Sequence, residues 1–175
     1  MASQEGLTQD ALLVGLFCVT PDRVYLGAPP GEAGTGIQLS PFGLQPVGSQ
    51  ATPWPWPEVS AVRVVGAPVK SGVARGLAVA GLAASMLLTW WSVRDPDQML
   101  VVLEVADGSS ELLVDSAAAI AYTPREAELS QTLLNRFTDG SLSPSIMTEW
   151  RSSTPKPRRL AARPREELLL QWTQS

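Results

Sequence analysis

The sequence predicts an α+β fold in which short strands form a bent antiparallel sheet and a helix near the end of the chain packs on that sheet. Short apolar runs separated by Pro and Gly fill the first 65 residues. Two more apolar runs flank an Asp-Gly pair within 99–116, and one amphipathic stretch follows at 122–140. Runs of this length bounded by turn residues are typical of strands, and a stripe at helical spacing is typical of a surface helix.

The first part of the chain predicts about five short strands after a flexible, polar N-terminus at 1–10. The runs lie at 11–20, 23–27, 37–40, 43–48 and 59–65. Between the last two runs, residues 53, 55 and 57 are all prolines. Since proline lacks a backbone N–H, this segment cannot form a helix or a central strand.

The clearest strand signal is the pair of runs around Asp107-Gly108, because Asp-Gly favours a tight hairpin turn. We expect a hairpin of Met99–Ala106 and Glu111–Asp115.

The clearest helix spans 124–139. Thr123 is a suitable N-cap and Pro124 suits the first helical position. Its apolar stripe consists of Leu129, Leu133, Leu134 and Phe137. We expect the stripe to pack on the apolar side chains of the hairpin, namely Leu100, Val102, Leu112 and Val114. A second helix is expected from Ser143-Pro144 to about residue 151.

A hydrophobic helical insertion is predicted at 73–94, because residues 76–93 form an 18-residue uncharged run rich in Ala and Leu. That length is just enough for a membrane span. A single crossing, however, would place the strands before and after it on opposite sides of the bilayer. Three alternatives therefore stay open: a span, a helix packed in protein or self-associating, and a helix lying on the membrane surface. The candidate membrane or partner contacts are Leu77, Leu82, Leu87, Leu88, Trp90 and Trp91.

Residues 151–175 are expected to form a basic C-terminal tail, with Arg158, Arg159, Arg163 and Arg165 as candidate lipid or partner contacts. Arginines followed by Leu168–170 and Trp172 have the composition of an interfacial anchor. The alternative is a solvated tail that ends in a short docking helix.

Trp54 and Trp56 alternate with prolines and are candidate docking residues, because rigid extended segments bind partners at a low entropic cost. The alternative is that the two indoles fold back and seal the core.

Composition argues against catalysis and against nucleic acid. The chain has no His, a single Cys (Cys18) and a formal net charge of −4. This removes catalysis that depends on His, Cys-rich zinc sites and a generally basic surface. Asp95/Asp97 offer too few oxygen ligands for a metal, and Glu126/Glu128 are expected on a solvated helix face. We expect no enzyme activity, no cofactor and no metal.

The stretch Trp56-Pro57-Glu58-Val59, continued by Val62 and Val64, resembles a strand-opening motif of bacterial pleckstrin-homology-like (PH-like) domains. The stretch 39–44 resembles the opening of an earlier strand of that family, and the stretch 101–108 resembles its late hairpin. The resemblance implies a PH-like barrel over residues 11–150, closed at one corner by the C-terminal helix. It implies a binding or scaffold role and no catalytic residues. Typical members lack an insertion such as 76–93.

From these observations we expect a non-enzymatic, membrane-associated scaffold module that acts through protein contacts, and in one version through lipid contacts. The alternative is a soluble structural protein that uses helix 76–93 as an oligomer or partner interface. The Arg-rich, Lys-poor composition suits a high-GC bacterial genome. Residues 1–10 lack the basic region of a signal peptide, so we expect a cytoplasmic location, at the inner face of the cell membrane if lipid is bound.

Overall fold

The computed structural model describes residues 10–29, 36–48, 52–69, 98–117, 122–154 and 159–175. Over these ranges the chain forms two antiparallel sheets and three α-helices, which confirms the predicted α+β class. The closed barrel is not confirmed, because the two sheets do not join into one within the described part of the chain.

The first sheet contains six strands in chain order, each hydrogen-bonded to the next. The strands are β1 (Leu12–Val14), β2 (Phe17–Val19), β3 (Val24–Leu26), β4 (Gly36–Ser40), β5 (Gly43–Val47) and β6 (Trp54–Pro55). A 3₁₀ turn at Trp56–Glu58 follows β6. Pro55 and Pro57 cannot donate to a strand ladder, so β6 stays short and the first sheet ends here.

The apolar run at 11–20, expected as one strand, is divided into β1 and β2 by Gly15. This residue has φ +58°, which glycine adopts without a steric cost. The turn approaches the helices closely, because a Cβ added at Gly15 would lie 2.3 Å from Ser130 Oγ. Alternating hydrophobicity could not reveal this turn, since the run is apolar on both sides of it.

The second sheet contains β7 (Val59–Val65), β8 (Gln98–Val105) and β9 (Gly108–Asp115), with β8 in the centre. The predicted hairpin is therefore confirmed. Its turn lies one residue earlier than the Asp-Gly pair suggests, because Val105 pairs directly with Gly108. Gly108 has φ +138°, so it opens β9 in a conformation that suits glycine.

The three helices are α1 (Pro124–Thr138), α2 (Ser145–Ser153) and α3 (Ala162–Thr173). The start of α1 is confirmed as predicted: Thr123 caps it, Pro124 opens it, and Glu126 completes a capping box with Thr123. The helix expected after Ser143-Pro144 is α2. The helix α3 lies in the segment expected as a basic tail.

One core joins both sheets to the helices. The ring of Phe137 on α1 lies 6.3 Å from that of Phe17 in the first sheet and 6.2 Å from that of Trp56 in the 3₁₀ turn. Leu169 and Trp172 of α3 are buried in the same cluster. Since α1 contacts β7, the 3₁₀ turn and α3, it is the element around which the rest packs.

The expectation that α1 and the hairpin share one core is confirmed, although among the strands α1 contacts β7 most and two of the four hairpin residues named for the packing were wrong. Met99, Val101 and Leu103 lie in the main core with Val114, and Leu112 packs against them. Leu100 and Val102 instead form a separate buried cluster with Val65. Every residue from Met99 to Leu103 is buried, so the apolar pattern of β8 could not indicate which face meets the helix.

We expect Leu133→Ala to lower the free energy of unfolding by about 2–5 kcal/mol, because its side chain is fully buried in the core and truncation leaves a cavity. Urea denaturation measures the change. Glu128→Ala on the same helix is the control, since Glu128 is exposed and its loss should cost no more than about 0.5 kcal/mol. Equal small losses in both variants would contradict the packing described above.

Candidate contact surfaces

The candidate contacts of the hydrophobic insertion, Leu77, Leu82, Leu87, Leu88, Trp90 and Trp91, lie outside the described residues, but the strands on either side of the insertion are described. Val65 of β7 pairs with Leu100 of β8, so the chain leaves and re-enters the second sheet at the same end. On the leaving side, Val69 forms a bridge with Tyr122, just before α1. In the described ranges, no helix has both the length and the apolar character that a membrane crossing requires.

The basic segment is largely engaged in the fold. Arg165 forms an ion pair with Glu126 of α1, and its Nη1 donates to the Leu160 carbonyl at 2.9 Å. Arg163 forms an exposed pair with Glu167 at 2.9 Å. Arg159 is exposed, and Arg158 lies outside the described residues. Of the four arginines named as contacts, Arg165 is therefore held inside the fold.

The carboxylate of Glu126 is buried, contrary to the expectation of a solvated helix face. Its side chain is 0% exposed and accepts a hydrogen bond from the Thr123 N–H at 2.7 Å as well as the ion pair from Arg165. A buried carboxylate needs such partners, because desolvation otherwise makes its charged form costly. The Thr123…Glu126 spacing was visible in the sequence, but the partner from α3 was not.

A second polar contact links the same two helices. The hydroxyl of Thr123 donates to Glu166 of α3, and the buried Ser130 hydroxyl accepts from the Leu16 N–H at 3.1 Å. Ser130 also donates to the Glu126 carbonyl at 2.7 Å. These contacts fix α3 and the β1–β2 turn against α1, so the end of the chain is part of the scaffold.

The two tryptophans named as docking residues differ in position. Trp56 is buried in the core, and its indole Nε1–H donates to the Ser40 carbonyl at 2.9 Å. Trp56 therefore seals the core, as the alternative interpretation predicted. Trp54 pairs with Leu44 at the edge of the first sheet and is half-buried.

The sequence reasoning missed Phe42, which is the most exposed large apolar side chain in the described ranges, at 85%. It lies in the turn between β4 and β5. The signal was present, because a Pro-Phe-Gly turn between two predicted strands places its central residue in solvent.

Carboxylates and the single cysteine are the remaining candidates for reactive groups. The described ranges contain no group of three or more Cys, Asp or Glu side chains that would hold a metal ion, and Asp95/Asp97 lie outside them. Burial raises the pKa of the Cys18 thiol to about 11. A thiol with that pKa is almost entirely protonated near neutral pH and is a poor nucleophile.

Comparisons with protein-family models, with curated proteins and with solved structures give no match to this chain. The PH-like resemblance therefore stays a prediction, and the function has to be argued from the chain's own residues.

We expect Glu126→Gln to lower the free energy of unfolding by about 3–5 kcal/mol, because it leaves the Arg165 charge without its partner at a largely buried site. Removing both charges, in Glu126→Gln/Arg165→Gln, should cost less than the two single losses added together. The matched control is Arg163→Gln, which breaks the exposed pair with Glu167 and should cost at most about 0.5 kcal/mol. Similar losses from the two pairs in thermal unfolding would contradict a buried ion pair.

The Cys18 thiol should make stability fall at alkaline pH. Its pKa is about 11 in the folded protein against 9.0 ordinarily, so the unfolded chain ionises first. This contribution is present in full below pH 9 and is lost as the pH rises through 11, by roughly 2–3 kcal/mol. Urea unfolding of wild type and Cys18→Ala across this range isolates the effect, since only the wild type carries it. Parallel pH profiles would show that the thiol is not buried.

Proposed function

We propose that this protein is a non-enzymatic scaffold module that associates with the inner face of the cell membrane and binds protein partners. In this proposal, the PH-like body is the scaffold and the apolar segment 76–93 is its main contact element. In this role the module holds its partners together at the membrane surface, and its described residues form the scaffold rather than catalyse a reaction.

The observation that carries the proposal is the direct pairing of β7 with β8. These strands pair from Val59↔Val105 to Val65↔Leu100, although 32 residues separate Val65 from Gln98 along the chain. A single membrane crossing within that connection would separate two hydrogen-bonded strands. The pairing therefore supports an apolar insertion that is added to one side of a folded scaffold and meets a membrane surface or a protein from that side.

The engaged polar groups support a non-enzymatic role. Glu126, the most buried carboxylate of the described ranges, is neutralised by Arg165 and caps α1. Cys18 is a protonated core thiol. Both groups are buried within the fold.

The replacement of Leu82 and Leu87 by Asp tests the proposal. We expect the double variant to move from the membrane fraction to the soluble fraction, because each charge would have to be buried in an apolar environment at a cost of several kcal/mol. Fractionation with carbonate and detergent extraction measures the shift. The matched control carries Asp at Gln45 and Ser109, which are exposed in the described structure, and should fractionate as the wild type does.

Two further results separate the proposal from its alternative. A wild type that is soluble and forms oligomers in sedimentation velocity, with monomers in the double variant, would favour the soluble assembly protein. A wild type and a double variant that are both soluble monomers would contradict both functions. Replacing 76–93 with a short Gly/Ser bridge should leave a folded protein, because β7 and β8 already end side by side.

A further inference from the structure

The turn between β4 and β5 holds an exposed aromatic side chain beside a proline-rich edge. Phe42 is 85% exposed. Gly43 pairs with Pro55, so the strand β6 lies directly next to this turn. We name residues 41–42 and 53–57 the aromatic–proline tip. Its prolines are all exposed, and its Trp54 is half-buried.

The tip is rigid before it meets any partner. The Ser40 hydroxyl accepts from the N–H groups of Phe42 and Gly43, both at 3.2 Å, and donates to the Gly43 carbonyl at 3.0 Å. From the other side, the Trp56 backbone N–H donates to the Phe42 carbonyl at 3.1 Å. A preorganised turn loses little backbone entropy on binding, so the apolar surface that it presents contributes more fully to affinity.

The tip also offers few hydrogen-bond donors to a partner. The N–H groups of Phe42, Gly43 and Trp56 are used internally, and the four prolines of the tip have none. In addition, the chain carries no charged residue from 33 to 57. A surface that enters an apolar phase needs few free donors and no charge, because an unsatisfied donor or a charge is costly there.

We propose that the aromatic–proline tip inserts into the interfacial region of a lipid bilayer, with Phe42 as the inserted side chain. The inference rests on the proposed membrane association and identifies the tip as the described surface that contacts the membrane. A lipid surface fits better than a protein partner, because protein interfaces carry about one hydrogen bond per 100–200 Å² and this tip has few groups to supply them. Aromatic side chains are also the ones that favour the membrane–water interface.

Binding of the tip to a bilayer should be apolar rather than electrostatic. Arg165 is held by Glu126, and Arg163 is paired with Glu167, so two of the four arginines named as contacts already have acidic partners. The whole chain carries a net charge of −4, which disfavours anionic lipid. Binding through the tip should therefore need no anionic lipid and should change little with salt.

Co-sedimentation of the full chain with phosphatidylcholine vesicles tests this inference. We expect the wild type to bind, and Phe42→Ser to reduce the partition coefficient about tenfold to a hundredfold, the loss that follows from one phenyl side chain leaving an apolar phase. Phe42→Trp should retain binding, and Gln45→Ser, an exposed control on β5, should match the wild type. Because the Phe42 side chain is largely exposed, Phe42→Ser should keep the wild-type melting temperature.

A direct readout removes any contribution of segment 76–93 to total binding. An environment-sensitive dye on Phe42→Cys should shift to the blue on vesicles and be quenched by brominated lipid, whereas the dye on Ser109→Cys should do neither. The native Cys18 is buried and should not react with the dye.

The outcomes separate this inference from the proposed function. Wild-type binding that is unchanged in Phe42→Ser, or a dye at residue 42 that stays in water, overturns the inference and leaves the membrane association standing. Binding that requires anionic lipid and is lost at high salt also overturns the inference and leaves the membrane association standing. A wild type that binds no vesicle overturns both. Self-association that depends on Phe42, without vesicle binding, would assign the tip to a second copy of the chain.

Discussion

The buried charge of Glu126 is the constraint on which the arrangement of this molecule depends. A carboxylate without contact to water has to be neutralised within the fold, and here the Thr123 N–H and the guanidinium of Arg165 do this. The first partner fixes where α1 begins, and the second brings α3 against it. Further along α1, the apolar stripe lies in the core that the two sheets share, where the ring of Phe137 meets those of Phe17 and Trp56.

This use of Arg165 changes which parts of the surface are available for binding. The C-terminal segment, whose composition resembles an interfacial anchor, contributes Leu169 and Trp172 to the core instead. The most exposed large apolar side chain of the described ranges is instead that of Phe42, in the turn between β4 and β5.

Local signals were enough wherever a single residue type determines the backbone. Thr123 and Pro124 set the start of α1, and the prolines at 53, 55 and 57 limited that segment to a short edge strand and a 3₁₀ turn. Local sequence patterns failed to assign the buried face or the turn where a run is apolar on both faces. The assignment of Leu100 and Val102 to the helix-packed face was wrong, since β8 presents buried residues on both sides. The turn at Gly15 was missed for the same reason.

The sequence by itself determined the α+β class, the 99–115 hairpin, the capped helix and its apolar stripe, because turn residues, caps and helical spacing act over a few neighbouring residues. Only the tertiary structure decided that the described strands form two separate sheets, that Trp56 is buried, and that Glu126 meets Arg165. Each of these depends on residues far apart in the chain, and no local pattern encodes which distant partner a side chain will meet. The C-terminal segment belongs to this second group, because its composition could not show that Arg165 and Trp172 are held inside the fold.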